Sequence, residues 1–404
     1  MKKILSIFLC GALLFSLAAC DNGADADSSS KVSSKPTESN DANTSSTFQV
    51  PTSNNYEEIT YPLAETTDYF YVTGRTDVVT TTLETGELPG LLYDHAAQGF
   101  FFNADCEGDV SVELCLFIKS SDGAPEQYYT VYVDGVKQEY VTATGIYNVE
   151  MIVTLPIAKD LPRGRHTFEI YRNHESLLGY ATLLNVTMKG VPEKWVKDED
   201  QLKIEFLGDS ITSGSGVNAV NKTESQNDKK NSNATLSYAF IAADILNAEA
   251  SIVSRSGMTC AGDAAPNMYK YYNNLSYDRY KERAYDHSKM DIDLYVISLG
   301  TNDNNNSYNY TDQQLSDNVK AALTAVRKDH PDVKILWVYG QLNNERANVI
   351  ETAVQEAGGE ANGFYYYCCT QPNFAGGHYH PNAAAQKRDG EEVAEVIKQI
   401  LGLK

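Results

Sequence analysis

Basic side chains are scarce in this chain. Against 54 Asp and Glu stand 33 Lys and Arg, a formal net charge of −21, and setting aside Lys2 and Lys3 deepens it to −23. A surface of that sign repels nucleic-acid phosphates and anionic lipid headgroups, so a nucleic-acid partner is not expected. Cysteine is sparse as well, seven in 404 residues. Cys10 and Cys20 sit in the N-terminal segment, leaving Cys106, Cys115, Cys260, Cys368 and Cys369, an odd number from which no disulfide framework follows. One pair, such as Cys106 with Cys115, stays open, although domains of this size do not require it. Cys368, Cys369, His378 and His380 raise the thought of zinc. Adjacent cysteines do not easily span one tetrahedral site and the spacing is no familiar finger, so neither metal nor cofactor is expected. No internal repeat is present.

What is there begins with an export signal at 1–20. Lys2 and Lys3 form its basic start, Ile4 to Leu17 its apolar stretch, and Ala18-Ala19-Cys20 a small-residue cleavage site. The apolar stretch is too short and wrongly flanked for a spanning helix. Leu17-Ala18-Ala19-Cys20 also resembles the bacterial lipobox, which implies lipidation at Cys20 and a cell-surface lipoprotein whose contact with the membrane is the lipid alone. Residues 21–55 are dominated by Asp, Ser, Thr, Asn, Ala and Lys with no hydrophobic period, and read as a tether. A flexible coil of about 30 residues holds its ends roughly 30 Å apart.

Two folded regions are expected beyond the tether. From 56 to 190, short runs rich in β-branched and aromatic residues alternate with Gly, Asp, Asn and Pro, for example Val110 to Ile118, Tyr128 to Val133 and His166 to Arg172. That pattern predicts an all-β sandwich, with Asp134-Gly135 as a hairpin turn. Residues 191–201, with Pro192 and the charged run Lys197 to Asp200, read as a linker. From 202 to 404 the rhythm becomes strand and helix in alternation. Strands are expected at Lys203 to Leu207, Ser251 to Ser254, Leu294 to Leu299, Lys334 to Tyr339 and Phe364 to Cys368. Helices are expected at Leu236 to Leu246, Leu315 to Arg327, Ala347 to Ala357 and Ala383 to Leu401, with Thr311 to Gln314 as a capping box. The class is α/β, a parallel five-stranded sheet with helices on both faces.

Chemistry concentrates beyond the carboxyl ends of such strands. Gly208-Asp209-Ser210 follows the first strand of this region, Gly257 follows the second, Gly300-Thr301-Asn302-Asp303 the third, and His380-Pro381 precedes the last helix. A serine hydroxyl needs an adjacent base, and His380 is the candidate, placed on a loop by the proline after it. A tetrahedral intermediate needs hydrogen-bond donors, each worth about 3–4 kcal/mol in acyl-transfer sites. Ser210 N–H, Gly257 N–H and the Asn302 amide are the candidate oxyanion hole. Asp209 reads as fixing the turn. Tyr379, beside the base, is a candidate platform for a sugar ring, or equally a packed loop tyrosine.

These blocks, in this order, resemble those that name the SGNH or GDSL hydrolases, over residues 202–404. The preceding region, with Gly74-Arg75, Val133-Asp134-Gly135 and Gly164-Arg165-His166-Thr167 to Tyr171-Arg172-Asn173-His174-Glu175, resembles the N-terminal jelly roll of carbohydrate esterase family 2. The resemblance implies a flavodoxin-like hydrolase domain behind a jelly roll. It also implies a serine esterase that removes acetyl groups from xylan and related polysaccharides, and the lipid anchor and tether expected at the N-terminus suit work on material outside the cell. One position departs from the SGNH pattern. Gly377 stands three residues before His380, where many members carry an aspartate, and the resemblance to family 2 implies a Ser-His dyad with a backbone carbonyl holding the imidazole. Two rivals stay open: an esterase for another ester, such as peptidoglycan O-acetyl groups or a lipid, and a carbohydrate-binding lipoprotein with an idle site.

Overall fold

The computed structural model describes residues 48–404, apart from Tyr140, Ala265 and 305–309. The signal segment, Cys20 and the tether up to residue 47 lie outside the described residues.

Ten antiparallel strands form the first sheet: β1 Glu58–Pro62, β2 Tyr71–Val72, β3 Val78–Leu83, β4 Gly86–Leu92, β5 Gly99–Ile118, β6 Glu126–Val133, β7 Val136–Lys137, β8 Val141–Thr144, β9 Glu150–Arg172 and β10 Gly179–Pro192. Its main path runs β3-β4-β10-β5-β9-β6-β7. Sequence patterning splits β5 into Gly99 to Asn103 and Val110 to Ile118, and β9 into Asn148 to Leu155 and His166 to Arg172. The acidic and glycine-rich stretch around Cys106 to Val110 breaks the apolar alternation, and the structure absorbs it as register shifts within continuous strands. Such irregularities bend a strand, letting one hydrogen-bonded sheet supply both faces of a jelly-roll-like sandwich around Phe100, Phe102, Leu114, Val131, Phe168 and Val186. Asp134-Gly135 joins β6 to β7 with both residues at positive φ (+52° and +73°), as a two-residue hairpin of this twist requires. Cys106 and Cys115 lie on the same strand, β5, nine residues apart. An extended chain separates them by roughly 30 Å, so the pairing left open from sequence is excluded and both are free.

Composition misplaces two boundaries. Phe48 and Val50, expected in the tether, pack against the sandwich core, and Asn54 Nδ2 donates to Asp105 O. In the linker, Trp195 stacks on Tyr71 at 5.6 Å.

The second sheet has β11 Lys203–Gly208, β12 Glu249–Ser254, β13 Leu294–Ser298, β14 Lys334–Tyr339 and β15 Phe364–Cys368, all parallel in the order β12-β11-β13-β14-β15. Side chains alternate between two cores, as the strand period demands. Leu294, Val296, Leu336 and Val338 face α1 Tyr238–Ile245 and α5 Ala383–Leu401. Tyr295, Ile297, Ile335 and Trp337 face α3 Asp312–Asp329 and α4 Ala347–Glu356, with the short α2 Met268–Tyr272 beside them. Burial on both faces explains why these strands read as unbroken apolar runs. The helix starts follow local chemistry. Thr311 and Gln314 close the capping box ahead of α3, and Asn382 caps α5 through Ala385 N–H.

The two regions are pinned by a buried ion pair. Arg75, after β2, enters the second region and meets Glu205 in the middle of β11, with Nη2 2.6 Å and Nε 3.1 Å from the carboxylate. Arg75 Nη1 also donates to the carbonyls of Tyr271, Tyr272 and Asn274. Both side chains are fully buried. Burial alone pushes the Glu205 carboxyl up, but the Arg75 charge and its hydrogen bonds overcome this and hold it at about 2.

Candidate active site

Ser210 lies two residues beyond β11, at the point where the strand order reverses and a crevice opens above the sheet. Its turn is fixed by Asp209, whose Oδ1 accepts Ile211 N–H at 2.9 Å and whose Oδ2 accepts Asn302 Nδ2–H at 3.0 Å. Burial raises the Asp209 carboxyl to about 7, with the nearby Asp303 and Glu175 carboxylates adding to it against the Ile211 hydrogen bond. Ser215 N–H donates to Ser210 O, tying the loop into a short coil.

His380 arrives from the loop between β15 and α5. Its Nε2 is 2.7 Å from Ser210 Oγ. Its Nδ1 lies 3.2 Å from Gly377 O and 3.1 Å from His378 O. Both of those partners are carbonyls and only accept, so Nδ1 carries the proton and Nε2 presents its lone pair to the serine hydroxyl. Burial holds His380 at about 4 against the carbonyl contacts, so the imidazole is neutral and basic around neutrality. The carbonyls reach Nδ1 because the backbone turns sharply, with His378 and Tyr379 at φ of +50° and +61°. Gly216 allows the approach of the two loops: Gly377 N–H donates to Gly216 O at 2.9 Å, and a Cβ at 216 would sit 2.4 Å from Gly377 O. Orientation of the histidine by main chain thus replaces a carboxylate at position 377.

The loop after β12 borders the serine. Ser213 Oγ donates to Ser254 Oγ at 2.9 Å, and Ser215 Oγ lies 3.2 Å from Ser256 Oγ. Gly257 has φ +81°, and a Cβ there would meet nothing nearer than Arg255 Nη1 at 3.7 Å. Among the described residues, neither Ser210 N–H nor Gly257 N–H donates to a protein acceptor. The Asn302 amide stands beside them, donating to Asp209 Oδ2 and to Met258 O, both at 3.0 Å. Asp303 is a brace, accepting from Cys260 and Ala261 N–H at 3.1 Å. Tyr379 is 51% exposed, with Lys222 Nζ 5.4 Å from its ring centre. It is therefore no packed loop residue. Phe374, 55% exposed on the same loop, escaped sequence reading because nothing in the local pattern distinguishes it. Among the described residues, Cys368, Cys369, His378 and His380 do not gather their donor atoms; those of Cys369 lie with Asp389 and Glu392 instead.

The model of the GDSL-like lipase/acylhydrolase family matches residues 206–401. Residues 206–401 are a GDSL-like lipase/acylhydrolase domain. The chain is 28% identical over 263 residues, 62% of its length, to the cellulase/esterase CelE of Acetivibrio thermocellus, of which the match covers 32%. It is 30% identical over 150 residues, 35% of its length, to an acetylxylan esterase/glucomannan deacetylase of Cellvibrio japonicus, of which 40% is covered. The chain thus spans well under half the length of these curated relatives. Among solved structures, a family 2 carbohydrate esterase from Clostridium thermocellum in complex with cellohexaose aligns with a TM-score of 0.68 at 24% identity, over 82% of this chain and 99% of that one. The acetyl xylan esterase Est2A of Butyrivibrio proteoclasticus aligns with a TM-score of 0.70 at 18% identity, over 85% and 99%. These alignments extend through the jelly-roll-like region and show that this domain arrangement is shared.

Proposed function

We propose that this protein is a carbohydrate O-acetylesterase that removes acetyl groups from plant cell-wall polysaccharide, xylan and glucomannan being the first candidates, through a Ser210–His380 dyad. The observation that carries this reading is the 2.7 Å Ser210–His380 contact with the imidazole tautomer fixed by two carbonyls. Ser210 Oγ attacks the acetyl carbonyl while His380 Nε2 takes its proton. The oxyanion is held by Ser210 N–H, Gly257 N–H and the Asn302 amide. Collapse breaks the ester bond, and His380 returns the proton to the departing sugar oxygen. Water, deprotonated by the same nitrogen, then attacks acetyl-Ser210 and releases acetate. Nδ1–H stays on the two carbonyls throughout, which stabilise the imidazolium formed in each half-reaction.

The polysaccharide assignment is supported by the acetylxylan esterase and glucomannan deacetylase relative and by the exposed Tyr379 ring beside the base. A neutral sugar also suits a protein of this net charge. We place the enzyme on the outside of the cell, anchored through Cys20, on the strength of the Leu17-Ala18-Ala19-Cys20 sequence. Acetate release from acetylated xylan and acetylated glucomannan, compared with O-acetyl peptidoglycan and long-chain esters, tests the assignment. Release from the plant polymers that disappears in Ser210→Ala supports it; glycan binding without turnover, or turnover of the other esters alone, overturns it.

A further inference from the structure

We propose that Glu175 of the jelly roll is a positioning residue for the oxyanion loop, so that the acylhydrolase site is completed by the neighbouring domain. For its turnover readout this rests on the esterase reading above. Glu175 lies on the connection between β9 and β10 and is 2% exposed. Its Oε2 accepts Ser256 N–H at 2.6 Å and its Oε1 accepts the Ser256 hydroxyl. Ser256 is the residue before Gly257.

The geometry of one peptide unit carries the argument. The Ser256 carbonyl and the Gly257 N–H belong to the same planar trans unit and point in opposite directions. Arg255 Nη1 donates to that carbonyl at 2.6 Å, so holding the carbonyl aims the Gly257 N–H the other way. Glu175 fixes the peptide unit before it, through Ser256 N–H, and attracts the Arg255 guanidinium that grips the unit after it. The Ser256 hydroxyl, committed to Glu175, leaves its oxygen to accept from Ser215 at 3.2 Å, which links the oxyanion loop to the nucleophile loop. A glycine at φ +81° has wide conformational freedom, and an oxyanion donor is useful only when that freedom is removed beforehand.

The base from which Glu175 reaches across is itself rigid. Asn173 O accepts Ala234 N–H at 2.8 Å, His174 bridges Gln127 Oε1 and Lys229 O at 2.9 Å each, and Arg172 Nε donates to His174 O. A carboxylate buried this far from water is costly, and a neutral acceptor would serve mere cohesion between domains. A charge is what a site needs to take two donors from one serine and orient a guanidinium beside it.

The test compares the full chain with Glu175→Ala, Glu175→Gln and Ser210→Ala. One readout is the rate of Ser210 modification by a fluorophosphonate, in which the Oγ–P bond forms, the P–F bond breaks and His380 takes the serine proton. The second is kcat and KM for acetate release from acetylated xylan per reactive site, and the third is thermal unfolding. Glu175→Ala is expected to lower both the modification rate and kcat about 100-fold, with KM changed less than about threefold. Glu175→Gln, which keeps one acceptor, falls between, and it carries the comparison if the alanine variant does not fold. Modification within about threefold of the parent, a rise in KM at unchanged kcat, or a loss that vanishes per folded molecule overturns the proposal. A parent that reacts with the fluorophosphonate but releases no acetate overturns the substrate reading alone, and the modification rates still decide the role of Glu175. A parent that does not react overturns both.

Discussion

Replacing Arg75 by Met isolates the energetics of the seam between the two domains. The substitution keeps the length of the side chain but strips Glu205 of its charge partner and leaves the Tyr271, Tyr272 and Asn274 carbonyls without their shared donor. What remains to Glu205 is the Ser251 hydroxyl at 2.8 Å, too little for a fully buried carboxylate. The carboxyl escapes by taking a proton. From an ordinary value of 4.5, holding it neutral at pH 7 costs about 3.5 kcal/mol, which caps the contribution of the orphaned charge. Removing one partner of a buried pair costs about 3–5 kcal/mol in general, so the two routes agree.

The same reasoning fixes the pH dependence. In the parent, Glu205 is held at about 2, below its unfolded value of 4.5, so its contribution is present above 4.5 and lost as pH falls through about 2. In Arg75→Met its folded value rises above 4.5, so stability is lost as pH rises. The difference between the two proteins therefore grows by about 1.4 kcal/mol per pH unit from about pH 2 upward, up to 4.5 because the parent gains stability and above 4.5 because the variant loses it, until the buried carboxyl ionises. Urea unfolding at a series of pH values measures it. Adding Glu205→Gln to Arg75→Met is expected to recover about 2 kcal/mol or more at pH 7 and little near pH 4.5. A pH-independent penalty, or a double variant as unstable as the single one at pH 7, refutes the reasoning.

Three further outcomes concern the site. Because His380 is held at about 4, the neutral base persists well below the usual histidine range, and kcat/KM is expected to halve only as pH falls through about 4. An acid limb at the ordinary histidine value of 6.5 contradicts the burial argument. Gly216→Ala places a methyl against Gly377 O in a left-handed backbone and is expected to displace the histidine loop, lowering kcat by about 100-fold while leaving KM nearly unchanged, in steady-state kinetics on acetylated oligosaccharide. Tyr379→Ala is expected to raise KM for acetylated xylooligosaccharide several-fold, losing about 0.5–1.5 kcal/mol of ring contact, without changing turnover of a small acetate ester.

The sequence discloses most clearly whatever is set by short-range pattern. The strands of the second sheet read as apolar runs because they are buried on both faces, and Thr311 announces its helix through a local capping box. Ser210, Gly257, Asn302 and His380 stand out because strand ends in a parallel sheet converge on one crevice, and the structure brings them there. What stays hidden is long-range. Glu205 looks like an interruption in an apolar strand until Arg75, 130 residues earlier, fills the space beside it. Glu175 is unremarkable until the chain returns Ser256 to it. Gly377 reads as a missing acid, and only the positive φ at His378 and Tyr379 reveals that main-chain carbonyls take that place. The long strands β5 and β9 were legible only in halves, because a bulge and a chain break look alike in one dimension.

Trapping the covalent intermediate reaches the centre of the account. The protein is mixed with acetylated xylan, quenched in acid within the first turnovers, digested and analysed by mass spectrometry. An acetyl group on the peptide containing Ser210, absent from Ser210→Ala, is expected. Acetate release at full rate from Ser210→Ala, or acetyl transfer to a different side chain, would contradict the dyad.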